Sequence, residues 1–181
     1  MPKQIAFLRG INVSGQKKVP MAELRSLLTN NGFKGVSTYI QSGNIIFEEA
    51  HVSAPEAKVT LEETIRAHFG FEVPVLVKSL PDLQNIILNN PFSKKEDLEF
   101  NRVYFVMLFG PPEKEKLASF KEEIYPDESW ELVEDCLYLC CKYGYGNAKL
   151  NNNLVERKLN VQATTRNYRT MMKLIEMGET S

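Results

Sequence analysis

The sequence predicts an α+β protein made of two consecutive ferredoxin-like units, each of the βαββαβ type with an antiparallel sheet. Three observations predict this class. The first half has the element order β-α-β-β-α-β, and the second half begins the same order again. The composition is globular, with 43% hydrophobic and 25% charged residues in a chain of 181. We place the two units at residues 1–90 and 91–181.

The first unit begins with alternating strand formers in "QIAFLRGINV", which predict a strand. The next segment, "VPMAELRSLLTNNG", predicts a helix that starts at Pro20 and stops at Gly32. The stretch "VSTYIQSGNIIFE" predicts a hairpin that turns at residues 42–44. In "VTLEETIRAHFG", Thr60 and Glu63 have capping-box spacing for a second helix, and "EVPVLVKSL" predicts the closing strand.

The second unit repeats this order with a strand in "NRVYFVMLFG" and a helix in "PEKEKLASFKEEI". Two strands follow in "SWELVED" and "CLYLCCKYG". The stretch "NNNLVERKL" predicts a helix with Asn153 and Glu156 at capping-box spacing, and "TTRNYRTMMKLIEMG" predicts a last helix that ends at Gly178. The polar stretch "LNNPFSKKEDLEFN" carries turn residues, so we expect the boundary between the units there.

Several classes of protein and site are disfavoured by the sequence. No apolar run approaches the length of a membrane span, and "MPKQIAFLRGINV" lacks the apolar core of a signal peptide, which predicts a cytoplasmic protein without a membrane partner. Cys136, Cys140 and Cys141 lie on one predicted strand, and neither His51 nor His68 is near them in sequence. We therefore expect buried free thiols, no metal and no cofactor.

Charge is unevenly distributed although the net charge is only −1. Residues 111–135 contain nine acidic residues and three lysines, a local charge of −6. Residues 142–173 contain seven basic residues and one acid, Glu156, a local charge of +6. This asymmetry indicates either an anionic partner for the basic segment or an internal match between the two segments.

The first candidate site lies at the predicted start of the last helix, in "ATTRNYRT". Thr164 or Thr165 is placed to cap the helix, and Arg166, Asn167 and Arg169 follow. Two arginines at the positive end of a helix dipole are unfavourable by themselves, and an anion in front of the helix would resolve the conflict. The alternative is that both arginines pair with acids of the protein itself.

Two polar loops are further candidates. In "KYGYGNAK", a strand, a glycine-containing loop and Lys149 precede a helix, an order that suits a phosphate site and equally suits a plain turn. In "RGINVSGQKKVPM", Asn12, Lys17 and Lys18 form a polar loop, in which the lysines could equally be solvated. Arg9 lies within an apolar predicted strand, which calls for a buried acid or a ligand as its partner.

The motifs "RGINV", "KKVPMAEL", "TYIQSGNIIF", "YGYGNAKLNNNLVERKL" and "ATTRNYRT" together resemble the bacterial family called domain of unknown function 1697. The resemblance spans nearly the whole chain. It implies a soluble bacterial α+β protein, and it implies no activity, so no catalytic residue follows from it.

Three functional hypotheses fit the sequence. The first is binding of a phosphate-bearing ligand, either a nucleotide or a single-stranded nucleic acid, at a basic site, although "NIIFEEA" lacks the RNA-recognition-motif pattern. The second is an enzyme that acts on a small anionic substrate between the two units, although a nucleophile elbow, metal-ligand spacing and a cysteine–histidine pair are missing. The third is a protein-interaction module without a small ligand.

Overall fold

The computed structural model describes residues 2–48 and 53–180, which form two four-stranded antiparallel sheets with helices between the strands. The predicted α+β class with two ferredoxin-like units is confirmed. One compact unit consists of Met1–Asn85 together with Lys173–Ser181, and the other consists of Ile86–Met172. The division differs from the predicted boundary because the end of the chain groups with the first unit.

The first unit has the strand order β2-β3-β1-β4, in which β1 pairs antiparallel with both β3 and β4. This arrangement places β1 at the centre of the sheet, and all six of its residues are buried. The elements of this part of the chain are β1 (Lys3–Leu8), α1 (Met21–Asn30), β2 (Ser37–Tyr39), β3 (Asn44–Glu48), α2 (Ala54–Phe69), β4 (Val75–Ser79) and α3 (Leu80–Leu88).

One face of the first sheet forms the hydrophobic core with the two helices. Alternate strand residues, among them Ala6, Leu8 and Phe47, pack against helix residues at three- and four-residue spacing, such as Leu24 and Leu28 of α1. Strand residues with a period of two and helix residues with a period of 3.6 therefore pack together in one core. This packing holds β1 and α1 in place and leaves the loop between them to be positioned by hydrogen bonds.

The predicted capping box of α2 is wrong, and its predicted end is confirmed. The helix begins about two turns earlier, where Ser53 and Glu56 exchange hydrogen bonds as a capping box. Thr60 is inside the helix, where its hydroxyl donates to the carbonyl oxygen of Glu56 over 3.0 Å. Pro55 explains the earlier start, because proline fits the first turn of a helix and not its interior. Gly70 ends the helix in the left-handed region, with φ of 79°.

The second unit repeats the arrangement with the strand order β6-β7-β5-β8. Its fourth strand was not expected from the sequence, and neither was a short helix in the predicted boundary stretch. The elements are α4 (Lys95–Glu99), β5 (Val103–Leu108), α5 (Lys114–Lys121), β6 (Glu128–Val133), β7 (Cys136–Cys141), α6 (Asn152–Leu159), β8 (Ala163–Asn167) and α7 (Tyr168–Thr180).

The predicted start of the last helix is wrong by several residues. Residues 163–167 form β8, which pairs with β5 so that Thr165 lies opposite Val106 and Arg166 opposite Phe105. Two adjacent threonines favour a strand because their side chains are branched at Cβ. The helix begins at Tyr168, and the side-chain oxygen of Asn167 accepts from the N–H of Thr170 over 2.8 Å. Asn167 therefore performs the capping that was predicted for Thr164 or Thr165.

The predicted capping box of α6 is also displaced. Asn151, not Asn153, caps the helix by accepting a hydrogen bond from the N–H of Leu154. Three consecutive asparagines offered the same local signal, and only the path of the incoming chain selects one of them.

Within the described parts of the chain, no helix is long and apolar enough to cross a membrane.

The second sheet contains the cysteines, and the predicted burial is confirmed for Cys136 and Cys141, while Cys140 is half-buried. Among the described residues, these cysteines are not joined by a disulfide. Burial raises the pKa of Cys141 from 9.0 to about 12. Burial and the neighbouring carboxylate of Glu123 raise the pKa of Tyr125 to about 12. The fold therefore holds these groups in their neutral forms.

We predict that the free energy of unfolding falls as the pH rises through the range from 9.0 to about 12. In that range the Cys141 thiol ionises in the unfolded chain while it stays protonated in the folded one, so the unfolded state binds fewer protons. Urea unfolding at several pH values measures the slope. Cys141→Ala should give a shallower slope, and equal slopes for the two proteins would contradict this account.

Candidate functional site

Three loops meet at one edge of the first sheet, the edge where β1 ends. They are the β1–α1 loop (residues 9–20), the β2–β3 turn (residues 40–43) and the α2–β4 loop (residues 70–74). The N–H of Leu8 donates to the carbonyl of Gly43 over 2.8 Å, and the N–H of Arg9 donates to Pro74 over 3.0 Å. We call this region the loop edge of the first unit.

The β1–α1 loop contains a small hairpin of residues 12–17. The N–H of Asn12 donates to the carbonyl of Lys17, and the N–H of Gln16 donates to Val13. Ser14 and Gly15 form its turn with φ of 50° and 75°, and Asn12 and Lys17 also have positive φ. A residue other than glycine costs about 1–2 kcal/mol in this region of backbone conformation, so the surroundings must hold the hairpin in shape.

The side chain of Asn12 provides most of that support. Its Nδ2 donates to the carbonyl oxygens of Val19 and Gln41 over 3.0 Å and 2.8 Å, and its Oδ1 accepts from the N–H of Val19 over 2.9 Å. Asn12, which the sequence predicted as a ligand-binding residue, thus joins the β1–α1 loop to the β2–β3 turn. All three hydrogen bonds of this side chain are made with backbone groups of the protein itself.

The predicted cationic residues of this loop have different environments. Lys17 is exposed, and its Nζ donates to the carbonyl oxygen of Glu72 over 2.6 Å. Lys18 is exposed and makes no hydrogen bond or ion pair with the residues that the structure describes. Arg9 is half-buried and follows β1, so its predicted position inside the strand is wrong. The strand ends at Leu8 because the chain turns at Gly10, where φ is 70°.

A groove of ≈ 550 Å³ lies between this loop and the start of α1. Lys18 lines one part of it, and Arg25, one turn into the helix, lines another. Pro20, at the N-cap, provides no side-chain hydrogen bond to the first N–H groups of α1. The full lining consists of Asn12, Lys18, Val19, Pro20, Met21, Ala22, Arg25 and Gln41.

Arg25 and Gln41 were missed by the analysis of the sequence. The Nη1 of Arg25 donates to the hydroxyl of Thr38 over 2.6 Å, which fixes the guanidinium beside the groove. A usable signal was present in the charge distribution, because residues 2–47 contain six lysines and arginines and one acid, Glu23.

Of the two histidines, the structure describes His68, which is exposed and bonds to Glu23 over 2.7 Å. His51 lies outside the described residues.

The structure does not present Arg166 and Arg169 together to a ligand. Arg166 is buried in β8, where its Nη1 donates to the hydroxyl of Thr164 and the carbonyl of Thr165 over 2.8 Å and 2.9 Å. Burial lowers its pKa to about 10. Arg169 is exposed, and its Nη2 donates to the carbonyl of Glu99 over 2.6 Å. Because residues 163–167 form a strand, Arg166 does not lie at the start of the last helix, where the sequence placed it.

Lys149 and Thr165 also lack the predicted arrangement. The side chain of Lys149 is exposed, and its N–H donates to Glu128 over 3.2 Å. The hydroxyl of Thr165 donates to the side chain of Asn152 over 2.8 Å, and the hydroxyl of Tyr145 accepts from the N–H of Asn152. These bonds tie the glycine-containing loop to α6 and β8, so Thr165 has a structural role.

Charge matching inside the second unit accounts for part of the asymmetry seen in the sequence. The ammonium of Lys158, from the basic segment, lies 2.6 Å from the carboxylate of Glu123 in the acidic segment. The side chain of Asn160 also donates to Glu113.

In the described residues, no group of three or more histidine, cysteine or acidic side chains could hold a metal ion.

The second unit shows how short the loops at this edge can be. Its corresponding loops span residues 109–113, 134–135 and 160–162, all shorter than those of the first unit. The equivalent backbone bonds are present, from Leu108 to Asp135 and from Phe109 to Gln162. The additional loop residues of the first unit are therefore not required to close the sheet, and such loops commonly carry function.

The two sheets define a class of α+β proteins with two consecutive ferredoxin-like units. The chain belongs to the family described as protein of unknown function, DUF1697, whose family model matches residues 1–138. It is similar to the solved structure of the conserved bacterial protein SP0830 from Streptococcus pneumoniae, with 29% identity, a TM-score of 0.76 and coverage of 98% of each chain. No match was found among the curated proteins.

We predict that Arg166→Ala lowers the free energy of unfolding by about 2–4 kcal/mol, because it removes a buried side chain and leaves its hydrogen-bond acceptors unpaired. Arg169→Ala should cost less than about 1 kcal/mol because this residue is exposed. Urea unfolding of both variants measures the difference. Equal, small losses would show that Arg166 does not support the fold.

We predict that Asn12→Asp lowers the free energy of unfolding by about 1–3 kcal/mol, because aspartate keeps the acceptor for Val19 N–H and loses both donated bonds. The matched control is Asn153→Asp, which changes an exposed asparagine whose side chain makes no hydrogen bond with the described residues. Thermal unfolding compares the two variants. A loss for Asn153→Asp as large as that for Asn12→Asp would contradict the role assigned to Asn12.

Proposed function

We propose that the protein binds a phosphate-bearing ligand, a nucleotide or a single-stranded nucleic acid, in the groove of the first unit. One observation carries this proposal: Lys18 and Arg25 line the same groove at the start of α1. Lys18 has no partner among the described residues, and the guanidinium of Arg25 is fixed by Thr38. The groove thus holds two cations without an acid in its lining.

Phosphate matches the donors that the groove provides. An ammonium and a guanidinium form charge-assisted hydrogen bonds with phosphate oxygens, and these are among the stronger hydrogen bonds in proteins. The first N–H groups of α1 lack a side-chain acceptor from the N-cap residue, and the helix dipole also favours an anion there. Both cations and the first residues of α1 line the same groove.

The chemistry of the lining favours binding over catalysis. None of the residues that line the groove is a histidine, a cysteine, an acid, a serine or a tyrosine. An enzyme acting on a small anionic substrate would need a general acid or base from elsewhere, which gives that alternative less support. We further propose a cytoplasmic protein, since phosphate-bearing ligands of this kind are abundant in that compartment.

The test is a titration with nucleotides, inorganic phosphate and short fluorescent single-stranded RNA and DNA, at low and moderate salt. Lys18→Ala and Arg25→Ala should each weaken binding by about tenfold, because each removes a charge-assisted hydrogen bond. For an oligonucleotide, Lys18→Ala should also lower the slope of log affinity against log salt concentration by about one. That change corresponds to the loss of one phosphate contact.

The matched control for these variants is Lys116→Ala, which removes an exposed lysine from α5 of the second unit. It should leave affinity unchanged, because α5 belongs to the other unit. If all the ligands fail to bind, or if Lys116→Ala weakens binding as much as Lys18→Ala, the proposal is wrong. In that case the interaction module without a small ligand becomes the better hypothesis.

A further inference from the structure

Ile40 has an unfavourable backbone conformation at the loop edge of the first unit. It is the first residue after β2, its φ is 52°, and 48% of its surface is exposed. A residue branched at Cβ rarely adopts positive φ, because its side chain crowds the backbone there. Neither burial nor backbone preference explains an isoleucine at this position.

The second unit shows which residue occupies the corresponding position in its shorter turn. Glu134 is the first residue after β6, and its φ is 54°, so the two turns begin with a similar positive φ. In that unit the residue is charged and exposed, as expected for a turn at the surface. The turn itself therefore does not require an apolar side chain at this position.

Ile40 is close in sequence to the groove described above. Its neighbour Gln41 lines the groove, and the carbonyl of Gln41 accepts the hydrogen bond from Asn12. Val13, next to Asn12 on the hairpin, is 60% exposed. Ile40 and Val13 are thus exposed apolar residues that are next in sequence to groove residues, and they lie on two different loops. The cations lie close to the start of α1.

We propose that Ile40 contacts the base of a nucleoside phosphate whose phosphate groups bind Lys18 and Arg25. The inference rests on the proposed function and specifies its ligand. A base offers an apolar ring face, which suits an aliphatic side chain, and polar edges, which suit the amide of Gln41. The ligand is a free nucleotide or a nucleotide unit within a single strand, and both share this chemistry.

The experiment compares ligands with and without a base, using the full chain. The first pair is the four ribonucleoside triphosphates against inorganic tripolyphosphate, and the second is a short single-stranded DNA against its abasic counterpart. At least one ligand with a base should bind about tenfold or more tightly than its partner without one. The pair that shows the preference identifies the source as free nucleotide or strand.

The variant Ile40→Asn tests the residue. Asparagine tolerates positive φ, so the melting temperature should be no lower than that of the unchanged protein. The preference for the ligand with a base should fall by about fivefold or more, while affinity for its partner without a base stays the same. Ile40→Val, which keeps an apolar branched side chain, should retain the preference.

The matched control is Ile124→Asn, which changes an isoleucine that is 88% exposed in the second unit and should leave both affinities unchanged. If ligands with and without a base bind equally, or if Ile40→Asn weakens both equally, the inference about Ile40 is wrong and the phosphate site remains. If none of the probes binds, the proposed function fails as well.

Discussion

The hydrogen bonds of the Asn12 side chain are the interaction on which the loop edge of the first unit depends. One amide group satisfies both backbone groups of Val19 and the carbonyl of Gln41. These bonds hold a hairpin with several positive φ angles against the β2–β3 turn. Because only the N-cap residue Pro20 separates Val19 from α1, the same bonds help to set where the helix begins. The groove follows from this local arrangement.

The two units provide an internal comparison that separates the requirements of the fold from other features. Both sheets have the same strand order and the same pair of backbone hydrogen bonds at one edge. The second unit closes this edge with short loops, and the first unit has longer ones with a basic hairpin and an exposed isoleucine. Longer loops cost conformational entropy and backbone strain, and the fold itself does not require them.

Buried polar groups in the second unit show why residue type alone is a poor guide to a site. Arg166 was the most attractive candidate in the sequence, and the fold buries it in β8, the strand that pairs with β5 at one side of the second sheet. Thr165 and Asn167, which looked like ligand-binding residues beside it, bond within the protein. Lys158 pairs with Glu123, so part of the basic segment neutralises the acidic one. Such residues stabilise the fold through bonds that are invisible in sequence.

The sequence by itself determined the fold class, the order of most elements and the polar character of the β1–α1 loop, because strand and helix periodicities and turn residues act locally. It did not determine that residues 163–167 form a strand, since their pairing with β5 is a contact distant in sequence. Nor did it identify Arg25 and Gln41, which approach Lys18 only when α1 and the β2–β3 turn pack around β1. Tertiary structure decided which cations share a groove, because a binding site is defined by distances in space and not along the chain.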